Sequence, residues 1–199
     1  MSKPMNVSSH KIFQNSTALY REYVDFERKI RALAAEMRIN LADYVIDHLA
    51  LRVNSLEAGK NWLERLLKCG TILSDNLVNG RIIYLIRLEE PLPFLNQFID
   101  VIELPFPKDK IYRYETWEHI EFVIPLLAKE STNEWINRIQ SVFLWNQFDR
   151  LTIKVSEPKA EGELLPNPSI AVSLKDNSRN HVSIKVHPYS IKKIVEVFE

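Results

Sequence analysis

The chain has almost no cysteine, no excess of either charge and no long apolar run. Its single cysteine, Cys69, cannot close an internal disulfide. Its first residues, MSKPMNVSSH, lack the apolar core of a signal peptide, so a cytoplasmic location is expected. No stretch approaches the roughly 20 consecutive apolar residues that cross a bilayer, and no membrane role is expected. Lysine and arginine number 26, as do aspartate and glutamate, for a net charge of zero. An affinity resting on neutralised phosphates is therefore not expected, nor is nucleic acid as a partner.

What is present suits a folded chain. The 199 residues, 46% hydrophobic and 26% charged, suffice for one large domain or two small halves that bury a core without disulfides or structural zinc. Over residues 16–38, Leu19, Tyr23, Phe26, Ile30, Leu33 and Met37 recur at gaps of four and three, which marks one face of a helix. Ser16 is the expected N-cap. Such a stripe can serve a dimer or pack on its own domain. The second use is preferred, because the heptad run is short for a coiled coil.

Beyond this helix the period changes from 3.6 to 2, and one order of elements occurs twice. The first copy reads as a strand over 44–53, a helix over 55–68 and strands over 71–77, 81–88 and 98–104. Asn54 with Glu57 resembles a capping pair, Gly70 stands where a left-handed C-terminal residue belongs, and Asn79-Gly80 signals a hairpin. The second copy reads as a strand over 115–124, a helix over 132–144 and strands over 151–155, 170–174 and 181–186, with a Ser131–Glu134 capping box. Between its second and third strands SEPKAEGELLPNP looks like an inserted surface loop. The expected fold class is α+β: an N-terminal helical segment (1–43), then βαβββ modules over 44–113 and 114–199 whose sheets form one curved, barrel-like cup. A cup built from one chain closes within a monomer, so a dimer is not required.

Alternation along each strand assigns residues to faces. In the first strand Val45, Asp47, Leu49, Leu51 and Val53 share the side that suits a helix, and Tyr44, Ile46, His48, Ala50 and Arg52 share the other. In the matching strand Ile120, Phe122 and Ile124 form the apolar side, which leaves Trp117, His119, Glu121 and Val123 opposite. The histidines of IDHLALRV and WEHIEFVI thus fall on equivalent faces, away from the helices. Glu103 projects from the strand FIDVIELP beside Ile99 and Val101. Burying an unpaired carboxylate costs several kcal/mol, so Glu103 needs a cation, a metal or a hydrogen-bond donor. In HVSIKVHP the residues His181, Ser183, Lys185 and His187 share the polar side. Lys185 is then the counterpart of Glu103, although matching Pro105 with Pro188 instead would put Val186 there.

These residues resemble the vicinal oxygen chelate superfamily, in which paired βαβββ modules curl around a divalent metal. Its members include glyoxalase I, extradiol dioxygenases, fosfomycin-inactivating thiol transferases and methylmalonyl-CoA epimerase. The resemblance covers about residues 44–190 and is carried by DHLALRV, VIELP and EHIEFVI. Taken whole, with its N-terminal helix and WEHIEFVIP, the chain looks closer still to the bacterial YecM family, for which the resemblance implies a fold and no established reaction. The vicinal oxygen chelate resemblance implies metal ligands on the first and last strand of each module, here His48, Glu103 and His119. Lys185 departs from the pattern, offering an ammonium where a glyoxalase-like enzyme has a carboxylate that binds metal and moves a proton.

Two imidazoles and a carboxylate suit zinc, iron, manganese, nickel or cobalt, with open positions for a substrate that chelates through adjacent oxygens. Glu121, two residues beyond His119 on the same face, is the candidate base. Arg52 and Lys185 are candidates to hold an anionic group of a small ligand. Trp117 either walls the cavity or fills the core. The competing reading is a protein that binds a small anion without catalysis, with a Lys185 salt bridge to Glu103 or Glu121 in the metal's place. His181 and His187 read as rim residues, His10 as part of a loose, inert terminus, and Cys69 as a small packed residue.

Overall fold

The computed structural model describes residues 7–157 and 165–196. Ser16 caps the first long helix, its Oγ accepting from the Leu19 N–H at 3.3 Å, and α1 runs over Thr17–Glu36. Tyr23, Phe26, Ile30 and Leu33 on its apolar stripe are buried. Tyr23 and Phe26 reach the Trp117 ring at centroid distances of 5.2 and 5.9 Å, and Phe94 joins the same cluster. The stripe is therefore consumed by the body of the protein, as its short heptad run implies.

Two successive β-α-β-β-β units follow. The first holds β1 (Ile46–Leu51), α2 (Leu56–Leu67), β2 (Gly70–Val78), β3 (Arg81–Phe94) and β4 (Gln97–Pro105). The second holds β5 (Trp117–Val123), α3 (Thr132–Phe143), β6 (Leu151–Ser156), β7 (Ser169–Leu174) and β8 (Ser183–His187). A short helix, α4 (Ile191–Glu196), comes after them, and no period in the sequence announced it. All eight strands join one curved sheet in the order β2-β3-β4-β1-β5-β8-β7-β6. At its centre β1 and β5 pair antiparallel, each flanked by a parallel partner, β4 and β8 respectively. Seen from the central pair, the sheet repeats itself outward in both directions.

Local chemistry explains most element ends. Asn79 and Gly80 have φ of 50° and 79°, the positive pair that a two-residue hairpin requires, and Val78 pairs with Arg81 across it. Ser131 and Glu134 form the complete capping box at the start of α3. Three local expectations need correction. The cap of α2 is Ser55, which accepts from the Ala58 N–H, while Asn54 instead holds the Tyr112 backbone. Gly70 is not left-handed; it opens β2, where an added Cβ would stand 2.1 Å from the Arg87 carbonyl oxygen, so close approach of backbones demands glycine. His10 is not loose: it is buried, with Nε2 2.7 Å from the Glu90 carbonyl oxygen and Nδ1 accepting from the Ile12 N–H.

Strand β3 runs six residues beyond its expected end at 88, through Pro91 and Pro93. Pairing with β2 stops at Leu88, so those prolines have no second ladder to interrupt. The connection between β6 and β7 lies partly outside the described residues. Among the described residues no helix is long and apolar enough to cross a membrane.

Candidate metal centre

The site lies where β1 and β5 cross the middle of the sheet, on the face opposite α1 and α2. Their ladder pairs Ile46 with Phe122, His48 with Glu121, Ala50 with His119 and Leu51 with Trp117. Asp47 on β1 and Glu118 on β5 have no partner in that register, so each is the extra residue of a bulge. A bulge breaks the alternation, and each acid turns to the side of the histidine that follows it. Asp47 Oδ2 lies 3.0 Å from His48 Nδ1, and Glu118 Oε2 lies 2.5 Å from His119 Nδ1. Strict alternation had put Asp47 on the helix side. The bulge overrules it. A carboxylate at Nδ1 keeps the proton there and leaves Nε2 as the ligand atom of the neutral ring.

Both Nε2 atoms face the same two carboxylates. His48 Nε2 stands 3.7 Å from Glu103 Oε2 and 3.8 Å from Glu121 Oε1. His119 Nε2 stands 3.7 Å from Glu103 Oε1 and 3.4 Å from Glu121 Oε1. One donor atom from each of His48, Glu103, His119 and Glu121 lies within 4.8 Å of all the others. Four ligands about 2.1 Å from one ion in a tetrahedron stand roughly 3.4 Å apart, so these separations suit a small divalent cation. His48 Nε2 is buried and has no hydrogen-bond partner. Leaving such an atom unmet costs about 1–3 kcal/mol, and a metal ion would meet it. The residues present therefore fit the group that the sequence suggested.

Lys185 stands at the remaining corner. In the parallel ladders Ala50 pairs with Glu103 and Glu121 with Lys185, which confirms Lys185 as the counterpart of Glu103 and removes the register that matched Pro105 with Pro188. Its Nζ lies 2.9 Å from His119 Nε2 and 3.0 Å from Glu121 Oε1. His187 is no rim residue. It is buried beneath the cluster, with Nδ1 3.4 Å from Glu121 Oε2 and Nε2 3.4 Å from Asp47 Oδ2. Its position on the same strand face as Lys185 was the available signal. Asp47 also accepts the Ile191 N–H at 2.8 Å, tying α4 to the centre.

Opposed charges decide the protonation of this buried group. Burial works against a charged His48, but Glu121, Asp47 and Glu103 outweigh it and raise its pKa to about 9. Burial likewise opposes ionised Glu121, yet Lys185 and His48 hold its carboxyl well below the usual range. Glu118 is held low against its own burial by His119 and Arg52. Lys185 is raised because Glu121, Glu103 and Glu118 overcome its desolvation. For His187 burial prevails and lowers the pKa, which favours a neutral ring.

Above this floor the sheet encloses a cavity of about 600 Å³. Arg52 lines it, with Nη2 2.7 Å from Glu118 Oε2 and the guanidinium 4.4 Å above the Tyr112 ring. Its Nε and Nη1 are buried without partners. His181 stacks on Tyr114 at 4.5 Å along the wall. Trp117 does not line the cavity; its fully buried ring packs against Tyr23, Phe26 and Trp62 on the helix side. Cys69 is buried and packed, its Sγ 3.4 Å from the Arg65 carbonyl oxygen.

A family model described as YecM protein matches residues 15–197. An uncharacterized protein of Haemophilus influenzae is 65% identical over 180 residues, covering 90% of this chain and 93% of its own. Protein YecM of Escherichia coli is 34% identical over 177 residues, covering 86% of this chain and 89% of its own. A solved structure described as the structural-genomics protein EC4020 superposes with a TM-score of 0.79 at 28% identity, over 100% of this chain and 99% of that one.

Proposed function

The chain belongs to the YecM family, and from that premise we propose that it binds a divalent metal through His48, Glu103 and His119 and acts on a small, oxygen-rich metabolite. The chemistry we assign is isomerase-, epimerase- or dioxygenase-like, in a cup of the vicinal oxygen chelate type made from modules 44–113 and 114–199. The observation that carries the reading is the buried, unpartnered Nε2 of His48, aimed at the two carboxylates that also face His119. A divalent ion held there supplies Lewis-acid polarisation of adjacent substrate oxygens and stabilises negative charge as it develops. Zinc, iron, manganese, nickel and cobalt all accept such a donor set.

The chain's own groups do the rest. Glu121 is the carboxylate left beside the three ligands, held ionised by its neighbours, and it takes a proton from a carbon next to the chelating oxygens. His187 Nδ1, 3.4 Å from its Oε2, orients it. Arg52 and Lys185 hold an anionic group of the substrate. Trp117, the third substrate-site candidate, supports β5 from the core side and so places Glu118 and His119. The cavity needs one chain only, so we propose a cytoplasmic protein for which a monomer suffices and a weak dimer is compatible.

A second reading has a specific support of its own. The Lys185 ammonium already bridges His119 Nε2 and Glu121 Oε1, which is how a small-anion or small-ligand binding protein with a degenerate metal site would look. Metal content after purification without chelators separates the two. A stoichiometric divalent ion in the wild type, with affinity for added metal lost in His48→Ala and His119→Ala, supports the first reading. No bound metal, with affinity unchanged in both variants, overturns it.

A further inference from the structure

We propose that Lys185 is a resident cation which the metal displaces, and that its released ammonium then binds an oxyanion in the cup, so that metal and anion bind together. This rests on the metal-binding reading above. The lone pair of His119 Nε2 faces Lys185 Nζ at 2.9 Å, and the same lone pair is the one a metal would use. Glu121 Oε1, 3.4 Å from the same Nε2, holds Nζ there at 3.0 Å. An ammonium and a dication competing for one lone pair repel strongly in a buried site, so both cannot stay. Lysine carries its charge on a flexible four-carbon stem, which such an exchange needs.

The structure also offers the ammonium somewhere to go. The Lys185 side chain is 24% exposed, against 10% for Glu121, and it borders the cavity. The wall above carries Arg52, Arg81, Lys110, Arg113 and Lys154, while the carboxylates among the described lining residues are Glu103, Glu118 and Glu121 on the floor. Those three already face the imidazoles or Arg52. A displaced Lys185 thus enters a wall of cations with no free carboxylate to meet it. Arg52, with its side chain 9% exposed, adds Nε and Nη1 that lack partners. An oxyanion of the ligand, carboxylate or phosphate-like, answers both deficits. By linkage, the factor by which the anion tightens metal binding equals the factor by which metal tightens anion binding.

The test is calorimetric titration of the chelator-stripped full chain with cobalt(II), at fixed pH and ionic strength, in chloride alone or with sulfate or acetate. Lys185→Met should bind cobalt at least about tenfold more tightly than wild type in chloride. Sulfate or acetate should tighten cobalt binding to wild type by about fivefold or more and leave Lys185→Met unaffected. The stronger of the two anions tells a phosphate-like group from a carboxylate. Lys185→Arg should keep part of the anion effect, and Lys185→Gln repeats the comparison should the methionine variant fold poorly by circular dichroism. Equal cobalt affinity in wild type and Lys185→Met, or an anion effect of the same size in both, overturns the exchange and leaves metal binding standing. No cobalt binding in any of these proteins removes the metal reading and the exchange with it.

Discussion

The two halves of the sheet carry the same acid-histidine dipeptide at the same bulge, yet differ two residues further on and across the neighbouring parallel strand. In the first half Ala50 follows His48 and pairs with Glu103; in the second Glu121 follows His119 and pairs with Lys185. The bulged acids, Asp47 and Glu118, do the same work in both, holding Nδ1 so that Nε2 points to the centre. The repeat thus fixes the aim of two imidazoles, and the unmatched corners decide what they face. One half contributes a small residue and a carboxylate, the other a carboxylate and an ammonium. A duplicated scaffold can therefore carry an unsymmetrical site, because backbone geometry repeats while single side chains need not.

Three measurements test this comparison. The largest effect is expected from neutralising the bulged acids. Asp47→Asn and Glu118→Gln should each weaken metal binding by about 10–100-fold, measured by titration of the metal-free protein. Glu118→Gln should cost more, because Glu118 also pairs with the buried Arg52 at 2.7 Å. Equal losses would mean that Arg52 has no part in the second half's geometry, and no loss in either would end the view that the acids orient the ligands.

The halves should next divide the pH dependence of the metal-free protein. His48, in the first half, has a folded pKa of about 9 against an ordinary 6.5. Its contribution is complete below 6.5 and is lost as the pH rises through 9. In the second half, burial lowers His187 and His181 from 6.5, so their contribution is present above 6.5 and is lost as the pH falls. Glu121, held below 4.5, adds a further loss at still lower pH. The thermal midpoint, measured with chelator present, should peak near pH 6.5. A midpoint that climbs steadily from pH 6.5 to 9 would contradict the charge assignment of His48.

The smallest effect concerns the two crossover helices. α3 begins with a reciprocal box in which Ser131 and Glu134 satisfy each other's backbone N–H, whereas Ser55 at α2 satisfies only Ala58. Ser131→Ala should destabilise the fold by about 1–2 kcal/mol and Ser55→Ala by about 0.5–1 kcal/mol in denaturant unfolding. The reverse order would show that α2 depends more on its cap than on packing.

Much of this was legible in the chain itself. The element order, the Asn79-Gly80 turn, the Ser131 box and the shared face of His48 and His119 all follow from short-range patterns. Glu121 was within reach of that logic as well, since it lies two residues along one strand face. His187 was harder. Its face was readable, but its depth was not, because its neighbours Asp47, Glu121 and His48 come from strands distant in the chain. The apparent side of Asp47 was misleading for a related reason: a bulge is a mismatch between two strands, and one strand's alternation carries no record of it.

By itself, then, the sequence determined the repeat, the faces and the residue types available at each corner. These are consequences of backbone period and capping, which act over a few residues. The tertiary structure alone decided that two acids turn toward their histidines, that His48 Nε2 is left without a partner and that Lys185 reaches His119. Those outcomes depend on the register between β1 and β5 and on distances across four strands, set only when the whole sheet closes over its core.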